Sequence, residues 1–183
     1  DISAFLKNMQ TCLDGVKRFR NHWIKSILTI ANKNPDLLLI IKPHPLEIAR
    51  TRIHGSEAYE NFFCNTANIL YLQENYHIIP LLQEVGALIH YGSTCAAFAY
   101  RYHIYNIYVE YPELFEIAKT EKGLISFNDI RLGGDTRLHL RNLPEFVKKN
   151  KNKFTITSNQ HTLDTLKSFF GYSDLQKILP SKT

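Results

Sequence analysis

Several motifs that identify common protein classes are missing from this 183-residue sequence. Its three cysteines form no CxxC pair, so their spacing indicates neither a zinc site nor a dithiol redox centre. No apolar run approaches the length of a membrane span. A Walker A motif and a GxGxxG fingerprint are both absent, which argues against P-loop ATPases and dinucleotide oxidoreductases. The GxSxG nucleophile elbow is absent too, and no acid is evident that would orient His44 against Ser93 or Cys95 in a hydrolase.

What the sequence does contain is typical of a globular domain. Hydrophobic residues make up 44% of it and aromatic residues 12%, which excludes disorder over most of the chain. Cys64 and Cys95 lie among apolar neighbours and are predicted to be buried thiols, which suits a reducing, cytoplasmic compartment. The net charge is +5. The basic run 148–153 is interpreted as a solvated helix end, with a peripheral contact to the inner face of a membrane, or to an acidic acceptor, as the alternative. Nucleic-acid binding is disfavoured because the aromatic residues are not interleaved with basic ones.

Helical and strand patterns alternate along the chain. From Ile2 to Ala31, apolar residues recur at steps of three and four, which predicts one long amphipathic helix or two helices with a break near Gly15. The unbroken apolar run 37–41 predicts a strand buried on both faces. Further strands are predicted at 69–72, 87–91, 106–109 and 124–127, and the intervening helices at 56–64, 78–85, 94–102 and 112–122. This order predicts an α/β fold, a Rossmann-like parallel sheet flanked by helices, in residues 1–135. Helices at 137–150 and 161–170 are predicted to pack on it as a C-terminal extension (136–178), followed by a tail at 179–183.

A doubly wound sheet binds its ligand at the carboxyl ends of its strands. Directly after the first predicted strand comes Lys42-Pro43-His44-Pro45, in which two prolines stiffen the backbone around a histidine that could donate to a phosphate or sugar oxygen. An ordinary loop histidine is an equal alternative. After the strand 87–91 comes Gly92-Ser93-Thr94, where the glycine permits close approach and the hydroxyls stand at a helix N-terminus that favours an anion. The alternative there is that Ser93 only caps the helix.

Two further strand ends carry weaker candidates. In the segment 73–77, Glu74 or Asn75 could reach a ribose hydroxyl, although His77 is better explained as the start of the next helix. The segment 110–113 could contact a ribose or an acceptor, or could simply begin a helix at Pro112. No metal site is predicted.

The segments 23–45 and 87–94, with His44-Pro45 and Ser93-Thr94 in the same order and positions, resemble the C-terminal half of glycosyltransferases that build bacterial capsule and surface carbohydrate. These include Kdo transferases, with CDP-glycerol glycerophosphotransferases and bacterial sialyltransferases as more distant relatives. The similarity covers about 23–109. The hydroxyl pair is Ser-Thr here and Ser-Ser in sialyltransferases, which leaves the donor sugar open.

The resemblance implies one half of a GT-B enzyme, a glycosyltransferase of two Rossmann-like domains around a cleft. It implies a CMP-linked sugar donor, no metal or other cofactor, and a donor site at Lys42, His44, Pro45, Glu74, Gly92, Ser93 and Thr94. Among these, His44 would stabilise the phosphate of the leaving group as its catalytic role. The acceptor, a glycan or glycolipid, and the catalytic base would come from an N-terminal domain that this chain lacks. We therefore expect the chain to be part of a longer protein and inactive alone.

Two other functions remain open from the sequence. One is a GT-B nucleotide-sugar epimerase resembling the UDP-N-acetylglucosamine 2-epimerases, which would prefer uridine nucleotides. The other is an interaction module that keeps the fold without the ligand.

Overall fold

The structure is a computed structural model that describes residues 2–44, 60–72, 77–112 and 134–154. It describes the side chains of these residues except for 2–13 and 60. The described part of the chain begins with one helix of 32 residues, α1 (Ile2–Lys33), which has no break at Gly15. From Phe19 onwards α1 lays an apolar face on the core, and Ile30 at its end is fully buried. The spacing of these residues at three and four positions keeps them on one side of the helix. The rest of the described chain is shorter helices and strands.

The described strands are β1 (Leu39–Ile41), β2 (Ile69–Tyr71), β3 (Ala87–His90), β4 (Tyr105–Glu110) and β5 (Thr136–His139). The helices after α1 are α2 (Glu60–Phe63), α3 (Ile78–Gln83), α4 (Cys95–Arg101) and α5 (Leu143–Asn150). Short 3₁₀ turns lie at Leu140–Asn142 and Lys151–Lys153. Four of these strands and both α3 and α4 fall where the sequence predicts them.

All pairings between described strands are parallel. β1 pairs with β2 in a two-stranded sheet, and β3, β4 and β5 form a three-stranded sheet with β4 in the middle. Parallel strands need crossover connections, which here include α4 between β3 and β4. The predicted α/β class with parallel strands is therefore confirmed for the described residues.

Helices cover both faces of the three-stranded sheet. Successive residues of a strand point to opposite faces. Accordingly Ile89 joins a core cluster with α1 and α5, whereas its neighbour Leu88 joins a second cluster with α3 and α4. The middle strand β4 is buried from Asn106 to Val109, as expected for a parallel strand with neighbours on both sides.

Two buried asparagines hold the end of α1 against the start of β1. The side-chain amide of Asn34 donates to the carbonyl of Ile30 at 2.8 Å, within the last turn of the helix. The side-chain amide nitrogen of Asn68 lies 2.9–3.1 Å from three carbonyl oxygens, those of Ala31, Asn34 and Leu37. The carbonyls of Ala31 and Asn34 also accept the backbone amides of Asn34 and Leu37, so Asn68, just before β2, adds a second donor to them where the helix ends.

Three predictions about local structure were wrong. Thr136–His139 form a strand and not the first turn of a helix, because their backbone pairs with β4. The helix begins only at Leu143, with Pro144 in its first turn. β1 is half-buried along its length and not buried on both faces, since β2 is its one paired neighbour among the described residues. Cys64 is exposed, and Cys95 is half-buried.

Several other predictions fall outside the described residues. These are the strand 124–127, the helix 161–170, the tail 179–183, the helix 112–122 beyond Pro112 and the first part of the helix 56–64.

Candidate functional site at the carboxyl edge of the three-stranded sheet

The carboxyl ends of β3, β4 and β5 lie at one edge of the three-stranded sheet, because the strands are parallel. At this edge His90 of β3 pairs with Tyr108 of β4, and Glu110 of β4 pairs with His139 of β5. The residues that follow these strands are therefore neighbours in space. This edge is where a parallel α/β sheet binds its ligand. We refer to it as the carboxyl edge.

Gly92, Ser93 and Thr94 form the turn from β3 into α4. Gly92 has a φ of 111°, a left-handed conformation that a side chain would strain, which explains glycine at this position. The hydroxyl oxygen of Ser93 accepts a hydrogen bond from the amide of Cys95 at 3.2 Å. The Ser93 carbonyl accepts the next amide, that of Ala96, at 3.1 Å. Ser93 therefore makes a capping contact with α4, which is the simpler of its two predicted roles. Its hydroxyl group can still donate its proton to a ligand.

His90 lies beneath this turn and organises it. Its side chain is 4% exposed, and its Nδ1 accepts hydrogen bonds from the amides of both Gly92 and Ser93 at 3.3 Å. An imidazole nitrogen that accepts two N–H groups carries no proton, so the proton of the neutral ring is on Nε2. Two successive amides that converge on one acceptor resemble the backbone concavities that bind anions, and here the acceptor is an imidazole nitrogen.

What the turn presents outwards is consequently its hydroxyl groups. The sequence leads one to expect free N–H groups at this helix start, but those of Gly92 and Ser93 point to His90. Thr94 is exposed, and its side chain makes no capping hydrogen bond to α4. The hydroxyl groups of Thr94 and Ser93 are therefore donors that this turn can offer a ligand.

The other predicted donor residues follow β1. Pro43 is buried, Lys42 is half-buried, and His44 is exposed. Among the described residues β1 pairs with β2 and not with β3, although both sheets contribute to the core around α1. Pro45 and Glu74 lie outside the described residues. The structure thus brings Gly92, Ser93 and Thr94 together in one turn and leaves the proximity of His44 to them a prediction.

An aromatic cluster at the carboxyl edge was not predicted from the sequence. Phe19 of α1 contacts Tyr91 edge-on, with ring centroids 4.6 Å apart, and contacts Tyr111 edge-on at 5.3 Å. Trp23, one turn further along α1, meets Tyr91 at 5.3 Å. Phe19, His22 and Trp23 lie three and four residues apart, which is a signal for a shared helix face. That signal does not reveal which strand ends the face meets.

Polar groups in this cluster are paired. The Tyr111 hydroxyl lies 2.8 Å from Nδ1 of His22, which links the end of β4 to α1. At the end of β5, Nδ1 of His139 accepts the backbone amide of Arg141 at 3.1 Å and its Nε–H at 3.2 Å. The rings of Tyr111 and His139 are 6.1 Å apart. The carboxyl edge therefore holds two histidines beside Tyr111, in addition to His90.

The candidate segment 110–113 is described as far as Pro112. Glu110 forms an ion pair with Arg137 of the neighbouring strand, and the Arg137 guanidinium lies over the ring of Tyr108, 5.3 Å from its centroid. Burial raises the pKa of Tyr108 to about 12, although Arg137 acts in the opposite direction. Glu110 thus contributes to strand pairing, while Pro112 is exposed.

The basic run 148–153 lies at the end of α5 and in the turn after it. Leu143 and Val147 of α5 point into the core, and Lys148, Lys149 and Lys153 are exposed. Lys149 pairs with Glu145 at 3.6 Å. The Lys151 ammonium donates to Asp36 at 2.6 Å, and this hydrogen bond lowers the pKa of that carboxyl group. This arrangement agrees with a solvated helix end, and the membrane contact stays a prediction.

Comparisons with known proteins give no relative for the chain. No family model matches its sequence, and neither a curated protein nor a solved structure matches it. Within the described residues, no helix combines the length and apolarity needed to cross a membrane. The same residues contain no group of three or more histidine, cysteine or acidic side chains suited to holding a metal ion.

Proposed function

We propose that this chain is the donor-nucleotide-binding domain of a GT-B glycosyltransferase that makes bacterial surface polysaccharide, with a CMP-linked sugar as donor. The observation that carries the proposal is the turn at Gly92, Ser93 and Thr94, which presents two hydroxyl groups at the carboxyl end of a parallel strand. Its place is where a Rossmann-like sheet binds a nucleotide. The hydroxyl pair and His44 also match the residues that the resemblance assigns to the donor phosphate.

The turn is suited to this role because its geometry is fixed before a ligand arrives. His90 holds the two inner amides, and the Ser93 oxygen holds the first amide of α4. These contacts fix the backbone that carries the two hydroxyl groups, so binding a phosphate has to order only the hydroxyl side chains. Hydrogen bonds to a charged oxygen are also about twice as strong as neutral ones.

In the proposed reaction, the acceptor hydroxyl oxygen forms a bond to the anomeric carbon of the sugar. The bond from that carbon to the phosphate oxygen breaks, and CMP leaves with the electron pair. Ser93, Thr94 and His44 donate hydrogen bonds to the phosphate as its negative charge grows. The acceptor, and the base that takes its proton, belong in this proposal to a second domain, which positions them across the cleft.

Nucleotide titration tests the proposal. We expect CMP to bind more tightly than UMP or UDP in calorimetry or NMR. Thr94→Val should weaken CMP binding about tenfold, because one hydrogen bond to a phosphate is lost at nearly constant side-chain shape. His44→Ala should weaken it as well. Thr29→Val is the matched control, because the Thr29 hydroxyl bonds within α1, to the carbonyl of Lys25.

The other outcomes decide between the alternative functions. Preference for UDP would contradict the CMP donor and favour the epimerase. No binding of any nucleotide at millimolar concentration by the folded chain would contradict a donor domain that binds alone and favour an interaction module. Loss of CMP affinity in Thr29→Val equal to that in Thr94→Val would show that the turn is not the phosphate site.

A further inference from the structure

Tyr91 is an aromatic side chain held in an exposed position beside the proposed phosphate site. It follows β3 directly and precedes Gly92, and it is 48% exposed. Of the three other large aromatic rings in the cluster, Phe19 and Tyr111 are each 5% exposed, and Trp23 is half-buried. A large apolar ring left in water at a strand end is informative when its neighbours on the same edge are buried.

The position of the Tyr91 ring is fixed by its contacts. Its centroid lies 4.6 Å from that of Phe19 at an interplanar angle of 63°, and 5.3 Å from that of Trp23 at 69°. Neither contact is a parallel stack. Edge-on pairs of this kind are favourable beyond the area that they bury, so Tyr91 is anchored to α1 while nearly half of it faces solvent.

We infer that Tyr91 is a stacking surface for the nucleobase of the bound nucleotide. The inference rests on the proposed function, because it takes the phosphate to lie at Ser93 and Thr94. A ribose joins the base to that phosphate, so the base lies within one sugar length of the turn, and Tyr91 is the residue that immediately precedes this turn. Stacking of a base on an aromatic side chain is favourable for every base, since each has a flat π-face.

A stacking role predicts that Tyr91 determines the affinity for a nucleotide but not the selectivity between bases. Stacking contributes to affinity but distinguishes poorly between cytosine and uracil. Replacing Tyr91 should therefore weaken CMP and UMP by similar factors and leave the preference between them unchanged. Selectivity for the base must come from other groups. The Tyr91 hydroxyl is not needed for stacking, so phenylalanine should replace it.

The experiment compares CMP, UMP and ribose 5-phosphate, titrated into the chain and three variants. We expect Tyr91→Ala to weaken CMP and UMP about five- to hundredfold, Tyr91→Phe to keep the original affinity, and ribose 5-phosphate to bind all forms equally. Tyr91→Leu keeps apolar contact with Phe19 and Trp23 without a π-face, so it should lose nucleotide affinity while its unfolding midpoint stays near that of the parent.

A second readout comes from fluorescence. Trp23 is the one tryptophan of the sequence. Because its ring lies 5.3 Å from that of Tyr91, a base that stacks on Tyr91 should change the tryptophan emission of the parent chain. Ribose 5-phosphate, which has no base, should leave the emission unchanged.

Two results would overturn the inference. One is unchanged CMP affinity in Tyr91→Ala and Tyr91→Leu while Thr94→Val weakens it, which would leave the phosphate site intact and remove the stacking role. The other is an equal loss for ribose 5-phosphate and CMP, which would mean that Tyr91 packs on the sugar. Failure of the proposed function looks different, because the parent chain would then bind none of the three compounds.

Discussion

The turn after β3 and the segment 42–44 after β1 both follow a parallel strand and both carry predicted donor-binding residues, yet they are built in different ways. The first follows a sheet whose middle strand is buried and paired on both sides, and an imidazole beneath it accepts two of its amides. The second follows the half-buried β1, and its histidine is exposed. The comparison indicates that contacts within the described residues fix the Gly92 turn, whereas the role proposed for His44 depends on how the two-stranded sheet is positioned.

Asn68 is the residue whose loss should most disturb the two-stranded sheet. Asn68→Ala removes the amide that lies 2.9–3.1 Å from three carbonyl oxygens at the junction of α1 and β1. Because the side-chain hydrogen bonds to all three carbonyls are lost, and among the described residues only those of Ala31 and Asn34 also accept a backbone amide, the free energy of unfolding should fall by about 3 kcal/mol in urea titrations. Hydrogen exchange should accelerate in β1 more than in β4.

Asn32→Ala is the matched control, since Asn32 is exposed on α1. Its effect on stability should be small. A loss in Asn68→Ala no larger than that in Asn32→Ala would mean that the amide does not hold the start of β1. Equal acceleration of hydrogen exchange in β1 and β4 would contradict the difference between the two sheets, because both would then be destabilised to the same extent.

Substitutions of His90 and His44 compare how much the Gly92 turn and the segment after β1 contribute to stability. His90→Leu leaves the amides of Gly92 and Ser93 without their acceptor, so stability should fall by about 2 kcal/mol and both amides should exchange faster. His90→Asn should lose less stability, because the side-chain oxygen of asparagine can accept a hydrogen bond from the amide two residues later. His44→Ala should lower the unfolding midpoint less than His90→Leu does, since His44 is exposed. A larger loss of stability in His44→Ala than in His90→Leu would contradict this comparison, because the segment after β1 would then be more important for stability than the Gly92 turn.

The sequence allowed the alternation of strands and helices to be predicted because that pattern is local. Short apolar runs identified β1 to β4, and those of β1 and β3 are bounded by proline or glycine. A glycine before two hydroxyl residues identified the turn into α4. β5 was missed because its four residues stand inside a window that also fits an amphipathic helix. Only pairing with β4, which is distant in sequence, distinguishes the two.

The groups that build the carboxyl edge could not be predicted for a similar reason. His90 looks like an ordinary strand residue until the turn after it folds back over its ring. Asn68 acts on carbonyls 31–37 residues earlier in the chain. The aromatic cluster requires α1 to cross the ends of β3 and β4, and periodicity shows which face of a helix is apolar but not what that face meets.

Tyr111 gives the smallest predicted effect and tests the link between α1 and the carboxyl edge. Tyr111→Phe removes a hydroxyl that lies 2.8 Å from Nδ1 of His22 and keeps the ring that contacts Phe19. One partly buried hydrogen bond contributes about 1 kcal/mol, so stability should fall by that amount. His22→Ala and the double variant complete a cycle in which we expect a coupling energy of about 1 kcal/mol. Additive losses would show that the two side chains are neighbours without a stabilising bond. The proposed stacking surface would then be anchored through Phe19 and Trp23 alone, because these contacts with Tyr91 do not involve the Tyr111 hydroxyl.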